Sequence, residues 1–122
     1  MLLVGIRSGS ADYLMSETLV SDFKKIGQFV FTSGITGEPG DPETQIRNIM
    51  KIARERLAQA GTSMETVFKV NVFLSDITLR EKYLNQEWKK VFPKNPPLRT
   101  TVQVGFAEGI YAEIEFVALA KN

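Results

Sequence analysis

An arginine and a glutamate in the last quarter of the sequence have side chains suited to chemistry on a small carboxylic acid. Arg99 follows Pro96 and Pro97 in the segment NPPLRTTVQV, and Glu113 lies in the closing segment YAEIEFVALA. An arginine can bind a carboxylate through two parallel hydrogen bonds, and a carboxylate can orient or deprotonate a water molecule. Together they would suit a small acid that reacts with water. The alternative is a structural cross-strand ion pair, which stabilises a sheet by about 0.2–1 kcal/mol.

The spacing around these two residues predicts two strands. The prolines lock φ and favour an extended chain, so they fix the direction in which Arg99 enters its strand. The first strand is predicted to have one apolar and one polar face: Thr100, Val102, Val104 and Phe106 opposite Arg99, Thr101, Gln103 and Gly105. The second alternates likewise: Ala112, Ile114, Phe116 and Ala118 opposite Tyr111, Glu113, Glu115 and Val117. Because consecutive strands are usually neighbours, a turn near residues 107–109 would bring Arg99 and Glu113 together.

The composition excludes several classes of chemistry. The 122 residues, predicted to form a single domain over 1–122, contain no cysteine and no histidine, so thiolate, zinc–thiolate and Ser-His-Asp sites are absent. We therefore expect no metal and no cofactor. With 15 basic and 14 acidic residues the net charge is +1, which predicts no nucleic-acid partner and no membrane surface. The opening segment MLLVGIRSGS lacks a basic leader, which favours a first strand and a cytoplasmic location.

Two helices are predicted. Asp41 as N-cap and Pro42 at the first helical position open the first helix, and Gly61 ends it. Its buried stripe follows a helical period: Ile46, Ile49, Met50, Ala53, Leu57 and Ala60. Thr78 and Glu81 predict a capping box for a second helix over about 79–91. That helix should direct three apolar side chains inward: Leu84, Trp88 and Val91.

Two further strands complete a two-layer α+β arrangement with both helices on one face of the sheet. Residues 28–33 form one, ending at Gly34 before turn residues 35–42, and residues 66–74 form the other. In the second, Phe68, Val70, Val72 and Leu74 should share a face. The uncovered sheet face would mix polar and apolar side chains: Lys69, Asn71, Arg99, Thr101, Gln103, Glu113 and Glu115 with Val67, Phe73 and Val117. Such a mixture favours a subunit interface, with a solvated face as the alternative.

Most of the chain, clearest over residues 26–120, resembles the RidA/YjgF family of reactive-intermediate deaminases. The resemblance is carried by IGQFVFTSG, TQIRNIMKIARERLAQAG, VFKVNVFLSDI, LNQEWKKVFP and, most specifically, PPLRTTVQV through AEIEFVALA. It implies a chorismate-mutase-like homotrimer with a mixed sheet of about six strands and clefts between subunits. It also implies hydrolysis of enamines and imines, such as 2-aminoacrylate and 2-iminobutyrate, to 2-keto acids and ammonia without a cofactor.

The resemblance also assigns roles to residues of this chain. Arg99 would bind the substrate carboxylate, and Glu113 would position the attacking water. Gly34 would contact substrate through its backbone, Thr101 would act through its main chain where many members have cysteine, and Asn85 would lie near the cleft. On the residues alone, Gly34 only ends a strand and Asn85 is a solvated polar residue.

Two departures from the family pattern affect the expected cleft and leave the substrate open. Val20 occupies the position of a family tyrosine, and the loop ITGEPGDPE after Gly34 is short. Three functions other than imine hydrolysis also stay open. The chain could be a binding or regulatory trimer without turnover, a nucleic-acid-processing protein as some relatives are described, or a structural protein in which Arg99 and Glu113 only brace the sheet.

Overall fold

The computed structural model describes residues 19–121, in which a six-stranded mixed sheet is covered on one face by two helices. The predicted α+β architecture with its sheet of about six strands is therefore confirmed. The strand predicted within residues 1–10 lies outside the described residues. No helix within residues 19–121 has the length and apolar character needed to cross a bilayer.

The sheet order brings strands distant in sequence together. The strands are β1 (Phe23–Ile26), β2 (Phe29–Thr32), β3 (Ile35–Thr36), β4 (Val67–Leu74), β5 (Leu98–Gln103) and β6 (Ala112–Leu119). Their order is β1-β2-β6-β4-β5, with β3 also paired to β6. Only β4 and β5 run parallel among these pairs. Neither β1 nor β3 is predicted from the sequence: Ile35–Thr36, expected as part of a turn, pairs with Ile114 and Glu113.

The first helix, α1 (Pro42–Gln59), forms as its local sequence predicts. Asp41 Oδ1 accepts a hydrogen bond of 2.8 Å from the Thr44 backbone N–H, which satisfies one of the free donors at the helix start. Gly61 follows the helix end with φ of +83°, a conformation that favours glycine. All six apolar residues of the predicted stripe are buried in the core.

The second helix, α2 (Asn85–Val91), is preceded by a π-helical turn over Arg80–Leu84. The capping box predicted from Thr78 and Glu81 does not form. Asp76 Oδ1 instead accepts hydrogen bonds from both the backbone N–H and the hydroxyl of Thr78, at 2.9 and 2.7 Å. The Asp76 side chain thus closes a turn of the kind that aspartate favours, and the Thr78 hydroxyl is used as a donor. Leu84 and Trp88 are buried and Val91 is half-buried against the core, as predicted.

Strand β4 departs from strict alternation at its start. An irregularity in its pairing with β6 falls between Val67 and Lys69. As a result Val67 is buried and Phe68 is 38% exposed, the reverse of the prediction, whereas Val70, Val72 and Leu74 are buried as expected. A bulge adds one residue to a strand and so reverses the faces on one side of it.

The position and orientation of β5 differ from the prediction, and this difference matters most for the candidate site. β4 lies between β5 and β6, so the strands that carry Arg99 and Glu113 are not neighbours. Arg99 is aligned with Val70, and Thr101 with Val72, on the face covered by the helices. Thr100 and Val102 point to the uncovered face, which we call the open face, and Gln103 lies with Leu74 on the helix side. The predicted placement of Arg99, Thr101 and Gln103 on the open face is wrong.

The physical reason is that the apolar residues of β5 do not mark the core. As an edge strand entered after α2, β5 has the aromatic ring of Trp88 on its helix side, and that ring covers Arg99. Val102 is 40% exposed on the open face, next to Phe73 in register. A rule that assigns the apolar side of a strand to the core fails where the other face of the sheet is also partly apolar.

Candidate functional site

Arg99 is a partly buried cation that has no acidic partner within residues 19–121. Its guanidinium carbon lies 4.8 Å from the centre of the Trp88 ring. The ion pairs found within residues 19–121 join other residues, so Arg99 is not neutralised there. Burial lowers the pKa of Arg99, and the positive charge of Arg80 lowers it further. An arginine nevertheless stays protonated in proteins, so the buried charge favours binding of an anion.

Thr101 and Asn85 are placed on the same side of the molecule as this cation by their positions on β5 and α2. Thr101 is two residues along the same face of β5, and its buried hydroxyl has no hydrogen-bond partner within the described residues. Asn85 is the first residue of α2, half-buried, and three residues before Trp88, a spacing that puts both on one side of the helix. We call Arg99, Thr101, Asn85 and Trp88 the arginine half-site. It combines a cation with a free hydroxyl and an amide.

Glu113 lies in a different environment, on the open face. It is half-buried at the start of β6, aligned with Thr36 on one side and Phe73 on the other. Within residues 19–121 its carboxylate forms no side-chain hydrogen bond or ion pair, whereas Glu115 on the same face accepts a bond of 2.9 Å from the Asn71 amide. A carboxylate free of protein partners is available to hold water.

Gly34 is packed against that carboxylate. A Cβ added at Gly34 would lie 2.9 Å from Glu113 Cδ and would overlap Oε2. The position therefore accepts only glycine while Glu113 keeps its present orientation. We call Glu113 and Gly34 the glutamate half-site. The sequence predicts both as site residues but does not predict that they touch.

Gln45 is a positioning residue that sequence reasoning missed. It is fully buried on α1, and its Nε2 donates to the carbonyl oxygens of Gly40 and Gly109, both at 2.8 Å. Its Oε1 accepts from the backbone N–H of Tyr111 at 3.0 Å. Gln45 thus fixes the loop two residues before Glu113. The signal in the sequence that could have identified Gln45 is its position immediately before Ile46, in the apolar stripe of the helix.

The two half-sites of one chain are far apart. In the sheet register Glu113 is aligned with Phe73, Phe73 is aligned with Val102, and Arg99 precedes Val102 by three residues. Two strand spacings and three residues place the Cα atoms of Arg99 and Glu113 about 14 Å apart. Their side chains also leave opposite faces of the sheet. One chain cannot bring both groups to one small molecule, so the predicted cross-strand neighbourhood of Arg99 and Glu113 is wrong.

The open face carries an exposed aromatic cluster. The rings of Phe29 and Phe31 are 6.3 Å apart, and those of Phe29 and Phe68 are 6.1 Å apart. Each ring is more than one-third exposed. Polar pairs lie on the same face, since Lys69 Nζ donates to the Thr100 hydroxyl at 3.0 Å. The predicted mixture of polar and apolar groups is present here, and patches of this kind mark interaction surfaces.

Val20, at the position of the family tyrosine, lies just before β1 and is 67% exposed.

Metal ligands are not clustered in the described residues: no group of three or more acidic side chains is arranged to hold an ion. The chemistry available at the two half-sites is therefore anion binding by Arg99 and water or proton handling by Glu113.

Comparison with known proteins agrees with the resemblance of the sequence. Residues 14–121 match the family model described as Endoribonuclease L-PSP. The mitochondrial protein mmf2 of Schizosaccharomyces pombe is 32% identical over 117 residues, which cover 93% of this chain and 82% of that protein. The chloroplastic Reactive Intermediate Deaminase A of Arabidopsis thaliana is 32% identical over 104 residues, which cover 79% of this chain and 54% of that protein.

The fold is also found in solved structures. A Mycobacterium tuberculosis protein, described as a member of the highly conserved YjgF/YER057c/UK114 family, superimposes with a TM-score of 0.81. The two chains are 26% identical, and the match covers 93% of this chain and 97% of the other. The arrangement of sheet and helices is therefore shared with that structure.

Proposed function

Because the chain belongs to the Endoribonuclease L-PSP family, known also as RidA/YjgF, we propose that it hydrolyses small enamine or imine acids to 2-keto acids and ammonia. Substrates of the size of 2-iminobutyrate and 2-aminoacrylate fit this reaction. The observation that carries the proposal is that Arg99 and Glu113 are half-buried charged groups, and neither has an ion-pair or side-chain hydrogen-bond partner within the described residues.

The reaction needs little beyond placement of its components. Arg99 binds the substrate carboxylate through two N–H donors, and the Thr101 main chain and Asn85 border the bound acid. Glu113 orients a water molecule so that its oxygen bonds to the imine carbon. A proton passes from this water through the carboxylate to the nitrogen. The resulting carbinolamine then loses ammonia as its hydroxyl becomes the ketone. An enamine first takes a proton on carbon and loses one from nitrogen, and so enters as the imine.

We propose that the working site is formed between copies of the chain in a homotrimer. The separation of about 14 Å between Arg99 and Glu113, on opposite sheet faces, supports this because two copies are needed to supply both groups. In a closed ring each copy gives its arginine half-site to one neighbour and its glutamate half-site to the other. The aromatic cluster on the open face supplies apolar surface for such contacts. Light scattering should give a mass near three times 13.7 kDa.

Two substitutions test the roles of the half-sites. Arg99→Lys keeps the charge but removes the planar pair of donors, so we expect about a ten- to hundredfold loss of turnover. Glu113→Gln should lower turnover, because the amide cannot accept a proton from water. It should leave keto-acid binding intact, because Arg99 binds the carboxylate. The measurement is ammonia and keto-acid release from freshly generated 2-iminobutyrate, with sizing as the folding control.

Matched controls exist for both substitutions. Arg47 on α1 is exposed and paired with Glu43, and Glu115 shares the strand and face of Glu113 but is bonded to Asn71. Arg47→Lys and Glu115→Gln should retain parent activity. A folded Arg99→Ala protein with full activity would refute the assigned role of Arg99.

The second candidate is a binding or regulatory trimer that uses the same arginine without turnover. The exposed Val20 at the tyrosine position favours it, because a polar group of the expected cleft is missing. Keto-acid binding that depends on Arg99, with no ammonia release by the parent, would support this candidate. The absence of a nucleic-acid or membrane partner remains a prediction, made from the balanced charge. The cytoplasmic location is also still a prediction, since the named relatives include a mitochondrial and a chloroplastic protein.

A further inference from the structure

Trp88 forms the surface against which Arg99 rests. It is the single tryptophan of the sequence and is 9% exposed. Its ring centre lies 4.8 Å from the Arg99 guanidinium carbon and 4.6 Å from the centre of the Phe92 ring, to which it is tilted by 54°. The indole therefore contacts the hydrophobic core through Phe92 and a cation through its ring face.

An arginine on an edge strand needs a partner to fix its direction. Its side chain has several rotatable bonds, and Arg99 has no acidic partner within residues 19–121. An aromatic ring attracts a guanidinium through its face without using the N–H donors. The donors of Arg99 therefore stay available to a carboxylate while the ring restricts the side chain. A hydrogen-bonded acidic partner would restrict Arg99 equally well but would occupy those donors.

We propose that Trp88 is a positioning residue that holds the Arg99 guanidinium ready for a carboxylate ligand, in addition to filling the core. The inference rests on the proposed function, because it takes Arg99 as the carboxylate ligand. A tryptophan that only fills the core could be replaced by any apolar side chain that keeps the fold. A positioning tryptophan needs an aromatic face.

Substitutions at Trp88 separate these roles. Trp88→Phe keeps a ring face, whereas Trp88→Leu keeps only apolar volume. We expect Trp88→Leu to raise KM for 2-iminobutyrate and Kd for 2-oxobutyrate by about 5- to 30-fold, with a smaller change in kcat. Trp88→Phe should recover most of this loss. Leu57→Ala on α1 is the control, because it removes a fully buried side chain from the other helix and should lower stability without changing KM.

The emission of Trp88 gives a readout that needs neither turnover nor a folded Trp88 variant. Binding of 2-oxobutyrate to Arg99 should change tryptophan emission in the parent, and Arg99→Ala should abolish that change. Because Trp88 is the sole tryptophan, the signal has one source.

The outcomes distinguish this inference from the deaminase proposal. Weaker binding in Trp88→Leu with recovery in Trp88→Phe supports the positioning role, even if the parent releases no ammonia. If the parent shows no emission change at saturating 2-oxobutyrate, the positioning role is overturned. It is also overturned if a folded Trp88→Leu protein keeps the parent values of KM and Kd.

Discussion

Replacing Gln45 with leucine should lower both stability and turnover, because this side chain joins three backbone groups from two loops. The amide donates to the carbonyl oxygens of Gly40 and Gly109 and accepts from the Tyr111 N–H, at 2.8, 2.8 and 3.0 Å. A buried hydrogen bond contributes about 0.5–1.5 kcal/mol net, so three of them give roughly 1.5–4.5 kcal/mol. We expect a loss of that size in the free energy of unfolding.

The effect on turnover follows from the position of Tyr111, two residues before Glu113. Without the bond to Gln45, the loop that leads into β6 loses one of its anchors. We expect kcat on 2-iminobutyrate to fall more than the affinity for 2-oxobutyrate, because Arg99 is untouched. Denaturant unfolding and steady-state kinetics measure the two effects. Gln59→Leu is the matched control, since Gln59 lies exposed on the same helix and should change neither quantity.

A Gln45→Leu protein within about 0.5 kcal/mol of the parent would refute this reasoning, because surface substitutions give changes of that size. It would mean that water or a loop shift satisfies all three backbone groups. A stability loss with unchanged kcat would keep the structural role of Gln45 but remove its link to Glu113.

Two other substitutions test local features of the structure. Gly34→Ala places a methyl group on the Glu113 carboxylate, so turnover should fall at least tenfold in a folded protein, and parent-level kcat would show that Glu113 has room to move. Hydrogen bonds from the Thr44 backbone N–H and hydroxyl lower the pKa of Asp41. The charged form of Asp41 therefore stabilises the fold above the ordinary aspartate pKa. This contribution is lost as the pH falls through the lowered pKa. The melting temperature of Asp41→Asn should therefore lie below that of the parent near pH 7 and approach it near pH 2; a gap that stays constant with pH would contradict this.

The helix α1 could be predicted almost completely because its signals are local. The cap at Asp41, the apolar stripe and the stop at Gly61 all lie within the segment they determine, and each is found as expected. The start of the second helix was predicted less well. Asp76 and Thr78 both suit a turn or a cap, and the choice between them depends on how β4 ends.

The arrangement of the candidate site residues could not be predicted from the sequence. Arg99 and Glu113 are half-buried charges without an ion-pair partner within residues 19–121, yet they lie on strands separated by β4. Strand order depends on contacts between distant segments, which a periodic pattern does not contain. The alternation in β5 was misleading because the open face of the sheet is itself partly apolar. Gln45 was missed for the same reason, since its partners Gly109 and Tyr111 are distant in sequence.

Mixed trimers test directly whether one site takes Arg99 from one copy of the chain and Glu113 from another, as we propose. Arg99→Ala and Glu113→Gln chains carrying different tags can be co-expressed, and trimers containing both can be isolated through the two tags. Neither variant alone has a complete site. In any mixed ring, one interface joins an intact Arg99 to an intact Glu113.

The measurement is ammonia release from 2-iminobutyrate by the purified mixed trimers. We predict about one third of parent activity per trimer, from one complete site in three, while each variant alone stays at its low level. Mixed trimers no more active than the separate variants would contradict a site shared between copies.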